Sequence, residues 1–218
     1  KTYRLVALDL RGHGASGKPW TPASYAGSKP WGDDVHAVVT QLGLKKPLVV
    51  GWSFGGYVAM HYLREYGRDA VAGIALVSST GGLLPRNASA PPRAPDDLRL
   101  LLQGSKQFMK VMSAQPEPED AVELGVATAM MLPPYVRNAM SGIRLDNVDL
   151  TSQLDAVPML SVAGAKDVTV PGTALANLLG EHGGRGLVYD GIGHSAFIEA
   201  TARFDADIEA FARRTLRP

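Results

Sequence analysis

The sequence contains no cysteine, which excludes disulfide bridges, thiolate metal sites and a cysteine nucleophile. No apolar run approaches the ~20 residues that a helix needs to cross a bilayer, so no membrane-spanning helix is expected. Basic runs and aromatic-interleaved basic patches are also missing: 22 Lys and Arg stand against 21 Asp and Glu, a formal charge of +1. A nucleic-acid partner is therefore not expected. There is no internal repeat, and no low-complexity tract beyond one Pro/Ala-rich loop. An initiator methionine is lacking too, because the chain opens directly on Tyr3-Arg4-Leu5-Val6-Ala7-Leu8-Asp9, which reads as a strand. Residues upstream of Lys1 are expected; cytoplasm is the default location, with a signal peptide left open.

What is present is 218 residues of 45% hydrophobic composition, enough for one domain with a sizeable core and a small insertion. Its most informative stretch is Val49-Val50-Gly51-Trp52-Ser53-Phe54-Gly55-Gly56. An apolar β-branched run stops at Gly51, one serine has a glycine two residues away on each side, and Tyr57 to Leu63 reads as helix. G-x-S-x-G between strand and helix describes a turn sharp enough to strain the backbone at Ser53 and lift its hydroxyl clear of the sheet edge. Side chains at 51 and 55 are expected to collide with the neighbouring strand and helix, hence glycine.

The opening strand runs into the glycine-punctuated loop Asp9 to Pro19. A helix is expected from Gly32 or Asp33 to Leu42, with Val35, Val38, Val39 and Leu42 on one face and Gly43 as its stop. Leu48-Val49-Val50 forms the next strand, and the helix after the serine closes near Tyr66-Gly67. Val71 to Val77 is a continuous apolar run, as expected of a strand buried on both faces. This alternation predicts an α/β fold, a mostly parallel open sheet with helices on both faces. From Gly81 to Ala156 it breaks. A loop reaches Pro95, and then only helical patterning follows: a helix capped by Asp96 or Asp97 and carrying Leu98, Leu101 and Leu102, one from Pro118 to Met131, and one starting at Pro133-Pro134. Residues 1–80 and 157–218 thus form the core and 81–156 an all-helical insertion. The sheet resumes at Pro158–Ala163, followed by a helix from Gly172 to Leu179, a strand Gly186–Tyr189 and a terminal helix through Phe204, Ile208 and Phe211.

A serine hydroxyl is a poor nucleophile at neutral pH and needs a base, which in turn needs an orienting group. Asp167 follows the strand ending at Ala163, and His194 follows the strand ending at Tyr189. Both lie in loops at the carboxyl ends of strands, the edge where open parallel sheets place their sites. Asp190 competes with Asp167 as orienter, and Asp146 and Asp149 are weaker alternatives. His36, His61 and His182 have no second ligand at metal spacing, and Asp33 and Asp34 read as helix-start residues. Met109, Met112, Met130, Met131 and Met140 fall in the insertion, where most should fill a small helical core while some suit an adaptable pocket. Trp52, Phe54, Phe108, Met109, Met130 and Phe197 are candidate pocket walls.

Taken together, the loop Asp9-Leu10-Arg11-Gly12-His13-Gly14-Ala15-Ser16, the turn Gly51 to Gly56, the segment Asp167 to Pro171 and Gly191-Ile192-Gly193-His194 resemble the α/β-hydrolase superfamily over nearly the whole chain. The resemblance is greatest to its small esterase and cofactor-free haloperoxidase group. It implies Ser53 as nucleophile, His194 as general base and then acid, Asp167 as the orienter of His194, and the backbone N–H of Phe54 as one oxyanion donor. It also implies a cap formed by the insertion, and neither metal nor organic cofactor. A dehalogenase of this fold would want Asp where Ser53 stands. The first three strands and the loop that would supply a second oxyanion donor have no counterpart before Lys1, so that donor is unassigned. The missing third strand should lie between the opening strand and the one leading to Ser53.

The expected reaction is hydrolysis of a small to medium apolar acyl or aryl ester through an acyl-enzyme. No cationic cluster accompanies the candidate residues that would favour a polyanionic substrate. A perhydrolase or haloperoxidase using the same three residues is the alternative, and a non-catalytic ligand-binding protein the contender from another class. Oligomeric state is not legible.

Overall fold

Four apolar segments build one parallel sheet. In the computed structural model, which describes residues 3–85, 94–95 and 97–216, these are β1 (Leu48–Trp52), β2 (Gly73–Val77), β3 (Met159–Gly164) and β4 (Arg185–Tyr189). They lie in the order β1-β2-β3-β4. Leu48 is in register with Gly73, Ile74 with Met159, and Leu160 with Arg185. Every residue of β2 and β3 is buried, which explains why their sequences run apolar without alternation. β1 is different: Val50 is 46% and Trp52 41% exposed, and among the described residues its far edge has no strand partner.

The helices of the core are α1 (Lys29–Gln41) and α2 (Phe54–Tyr66) before the insertion. Within the insertion lie α3 (Leu98–Val111), α4 (Glu119–Met130) and α5 (Pro134–Ala139). After it come α6 (Gly172–Glu181), α7 (Ala196–Glu199) and α8 (Thr201–Thr215). Because side chains alternate across a strand, the sheet feeds two cores. Ile74, Leu76 and Met159 pack with Met60 and Leu63 of α2 and with Leu175 and Leu179 of α6. On the other face Ala75, Leu160 and Val162 meet Tyr189, Ala196 of α7 and Phe211 of α8.

Two expectations are corrected. Tyr3–Asp9 is not a strand. Its apolar residues face solvent, Leu5 at 91%, since a strand is defined by a ladder with a neighbour and none runs beside this segment among the described residues. Second, α1 begins at Lys29, with proline in its first turn, where the missing N–H costs nothing. Asp33 and Asp34 are therefore inside the helix, Asp33 paired with Lys29 at 2.8 Å and Asp34 with Arg11 at 2.7 Å.

Among the described residues, the segment between β2 and β3 contains helices and 3-10 turns but no strand. Asp97 caps α3, its carboxylate accepting from the N–H of Arg99 at 2.7 Å. The alternative cap Asp96, and residues 86–93 of the loop read from the sequence, lie outside the described residues. No described helix is long and apolar enough to cross a membrane.

Candidate active site

Ser53 sits between β1 and α2 with φ 51° and ψ −118°. This is a left-handed conformation that costs a non-glycine residue on the order of 1–3 kcal/mol and persists only where its surroundings hold it. Here the Ser53 N–H donates to the Val77 carbonyl at 2.8 Å and the Ser53 carbonyl accepts from Gly56 at 3.0 Å. Glycine is needed at 51, because a β-carbon there would run into the backbone of Gly55. It is equally needed at 56, where a β-carbon would run into the side chain of Ser79. Gly55 is a correction: a β-carbon there meets nothing within 4 Å, so the second glycine of the pattern is not imposed by packing.

The loop after β3 places Asp167, and the loop after β4 places His194, 2.8 Å apart between Oδ2 and Nδ1. Both side chains are almost wholly out of solvent, 0% for Asp167 and 4% for His194. Thr169 completes the arrangement. Its hydroxyl donates to Asp167 Oδ1 at 2.7 Å and lies 2.9 Å from His194 Nδ1, and its backbone N–H donates to the same Asp167 Oδ1 at 2.8 Å. With the hydroxyl proton directed at the carboxylate, His194 carries its own proton on Nδ1, and the lone pair is left on Nε2. Nε2 is buried and has no hydrogen-bond partner among the described residues. Burial pushes the Asp167 carboxyl upward, but the hydrogen bonds from His194 and Thr169 outweigh it and hold the group below the ordinary carboxylate value.

His194 stands next to the serine turn through Trp52. The indole N–H donates to the His194 carbonyl at 3.1 Å, and the two rings lie 5.6 Å apart. Phe197 meets Trp52 edge-on at 5.1 Å. Ser53 and His194 make no side-chain hydrogen bond to each other in this structure. The Phe54 N–H heads α2, where the first turn leaves its amides without intrahelical partners. Its ring packs edge-on against the buried Trp31 at 5.1 Å and stacks at 6.3 Å on His13. In the His13 loop the N–H groups of Gly12, His13, Ala15 and Ser16 are all engaged within residues 9–17.

The remaining candidates fall elsewhere. Met109 packs on Gly125 of α4, and Met130 takes a weak hydrogen bond from Ser105 of α3, both within the α3–α4 contact. Phe108 is 48% exposed on α3. Asp190 is exposed, Asp149 pairs with Arg64 at 2.6 Å, and Asp146 accepts from the N–H of Val148. His36 stacks on Tyr66, and His182 pairs with Asp155. Among the described residues no group of three or more His, Asp or Glu is placed to hold a metal ion. Thr169 was not singled out from the sequence, although Asp-x-Thr is a recognisable local turn in which the carboxylate takes the N–H two residues on.

The profile of the alpha/beta hydrolase fold family matches residues 1–201. The chain belongs to the α/β-hydrolase family. Among the relatives of this hydrolase is the bifunctional esterase/perhydrolase DCH of Acinetobacter calcoaceticus, 29% identical over 97% of this chain and 82% of that protein. A non-heme haloperoxidase of Rhodococcus erythropolis is 27% identical over 96% and 82%. Of solved structures, a putative aryl esterase from Burkholderia cenocepacia superposes with a TM-score of 0.83 at 31% identity, covering 95% of this hydrolase and 78% of that chain.

Proposed function

We propose that this hydrolase cleaves carboxylic esters with Ser53 as nucleophile, His194 as general base and acid, and Asp167 as the orienter of His194. The observation that carries the reading is the 2.8 Å contact from Asp167 to His194 Nδ1, which directs an unpartnered Nε2 from a loop bonded to the strained serine turn. In the first half-reaction the Ser53 hydroxyl oxygen attacks the ester carbonyl carbon while Nε2 takes its proton, and the Phe54 N–H donates to the developing oxyanion. Collapse of the tetrahedral adduct breaks the bond to the alcohol, which leaves with the proton from Nε2. Water then gives its proton to Nε2 and attacks the acyl group, releasing the acid and restoring Ser53. Throughout, the Asp167 carboxylate fixes the tautomer of the neutral imidazole and stabilises the imidazolium when it forms.

Trp52 and Phe197 supply apolar, aromatic surface beside His194, which supports an uncharged apolar acyl or aryl ester as substrate. The insertion at 81–156 serves as the cap over this site. A second reading, perhydrolysis, is favoured by the name of the Acinetobacter relative. The acyl-enzyme would be the same, with hydrogen peroxide replacing water as acceptor to give a peracid.

The test is turnover of phenyl and p-nitrophenyl esters of short acids, with and without peroxide. Ser53→Ala should lower kcat by a factor on the order of 10³ or more. Undiminished hydrolysis in Ser53→Ala would remove the nucleophile assignment. Preference for strongly anionic esters would overturn the substrate class, and peracid formation faster than hydrolysis would favour the second reading.

A further inference from the structure

We infer that Glu199 is a positioning residue for His194 and that, with the carbonyl of Met112, it fastens the backbone of the histidine loop to the helical insertion. The inference rests on the reading of His194 as the base. Three consecutive N–H groups of the loop are all engaged. Gly193 donates to the Glu199 carboxylate, at 3.0 Å to Oε1 and 3.2 Å to Oε2. His194 and Ser195 both donate to the Met112 carbonyl, at 2.8 and 3.1 Å. The same Glu199 Oε2 accepts from the N–H of Ala114 at 2.8 Å. One carboxylate therefore bridges the residue before His194 and the segment that leaves α3, and hydrogen bonds to an ionised acceptor are roughly twice as strong as neutral ones.

Packing leaves the loop no slack in either direction. A β-carbon on Gly164, at the end of β3, would run into the carbonyls of Ile192 and Gly193. A β-carbon on Gly193 would come 2.6 Å from the Ala114 nitrogen and 3.1 Å from Glu199 Oε1. Gly193 is thus a glycine because the insertion's backbone comes so close, and its φ is not in the left-handed region. Glu199 makes no hydrogen bond to the side chains of His194, Asp167 or Ser53. It acts by fixing where the imidazole hangs, and any displacement of residues 112–114 is transmitted to His194 through the same bonds.

The experiment combines the low-field proton NMR resonance of His194 Nδ1–H, which reports its hydrogen bond to Asp167 independently of turnover, with ester kinetics on Glu199→Ala and Glu199→Gln. In Glu199→Ala the resonance should shift or be lost to water exchange, and kcat should fall about 10- to 100-fold with KM within about threefold. Glu199→Gln should lie between wild type and Glu199→Ala, because its amide oxygen still accepts from Ala114. A folded Glu199→Ala protein with the wild-type resonance and kcat would overturn the inference. If Glu199→Ala does not fold, an unchanged resonance and kcat in Glu199→Gln would do the same. Should the resonance be lost in Glu199→Ala while wild type hydrolyses no ester, the positioning role stands and the esterase reading falls.

Discussion

The indole N–H of Trp52 donates to the backbone carbonyl of His194, 142 residues away in sequence, at 3.1 Å. The bond joins the last residue of β1, which immediately precedes Ser53, to the loop that carries the imidazole. Trp52→Phe keeps an aromatic ring, though a smaller one, and removes the donor. It should lower stability by about 1 kcal/mol, as loss of a neutral hydrogen bond does, and reduce kcat for aryl esters more than it changes KM. Urea denaturation and steady-state kinetics on the same preparation check both.

Asp167 is held ionised by the bonds of His194 and Thr169 against the upward push of burial. A carboxyl with a folded value below its unfolded one contributes stability above the unfolded value, and that contribution is lost as pH falls through the folded value. Thr169→Val removes the hydroxyl bond and raises the folded value toward the ordinary carboxylate range. Loss of stability on acidification should therefore be smaller than in wild type and be complete at a higher pH. The urea midpoint followed from pH 6 to pH 3 reads this directly.

His61 of α2 is fully buried and bonds through Nε2 to the Arg144 carbonyl at 2.6 Å. Burial lowers it from 6.5 to about 4. The folded protein keeps it neutral while the unfolded chain takes up a proton, so its effect is absent above about pH 6.5 and destabilises progressively as pH falls toward 4. The full cost is up to about 3 kcal/mol. His61→Gln can still donate to the carbonyl but does not titrate, so its stability should change less between pH 7 and pH 5 than that of wild type.

The three glycines of the serine turn should answer differently to alanine. Gly51→Ala and Gly56→Ala place a methyl against backbone or Ser79 and should lower stability by several kcal/mol, of the order expected for overpacking or more. Gly55→Ala meets open space inside a helix and should stabilise by roughly 0.5–1 kcal/mol. Thermal melts of the three variants decide it.

Much of this architecture was readable from residue pattern. The unbroken apolar runs of β2 and β3 and the change to helical periodicity after Gly81 reflect burial, which composition records. Ser53, Asp167 and His194 are legible as candidates because each lies in a loop directly after an apolar strand, and the structure brings Asp167 and His194 within 2.8 Å. Tyr3–Asp9 reads as a strand from its apolar run, whereas a strand also needs a neighbour, and none runs beside it among the described residues. Asp33 and Asp34, read as first-turn acids, set the start of α1 too late; Pro30 marks its first turn, and both aspartates serve ion pairs from inside the helix. The roles of Glu199 and Met112 at the histidine loop are not legible in sequence, because the groups they hold there are backbone N–H groups, which every residue but proline carries.

The proposed role of Ser53 as nucleophile is tested most directly by reaction of the protein with a fluorophosphonate probe, followed by mass mapping of the adduct. One adduct is expected, on Ser53, absent in Ser53→Ala and slowed in His194→Ala. An adduct on any other serine, or equal labelling of Ser53→Ala, would contradict it.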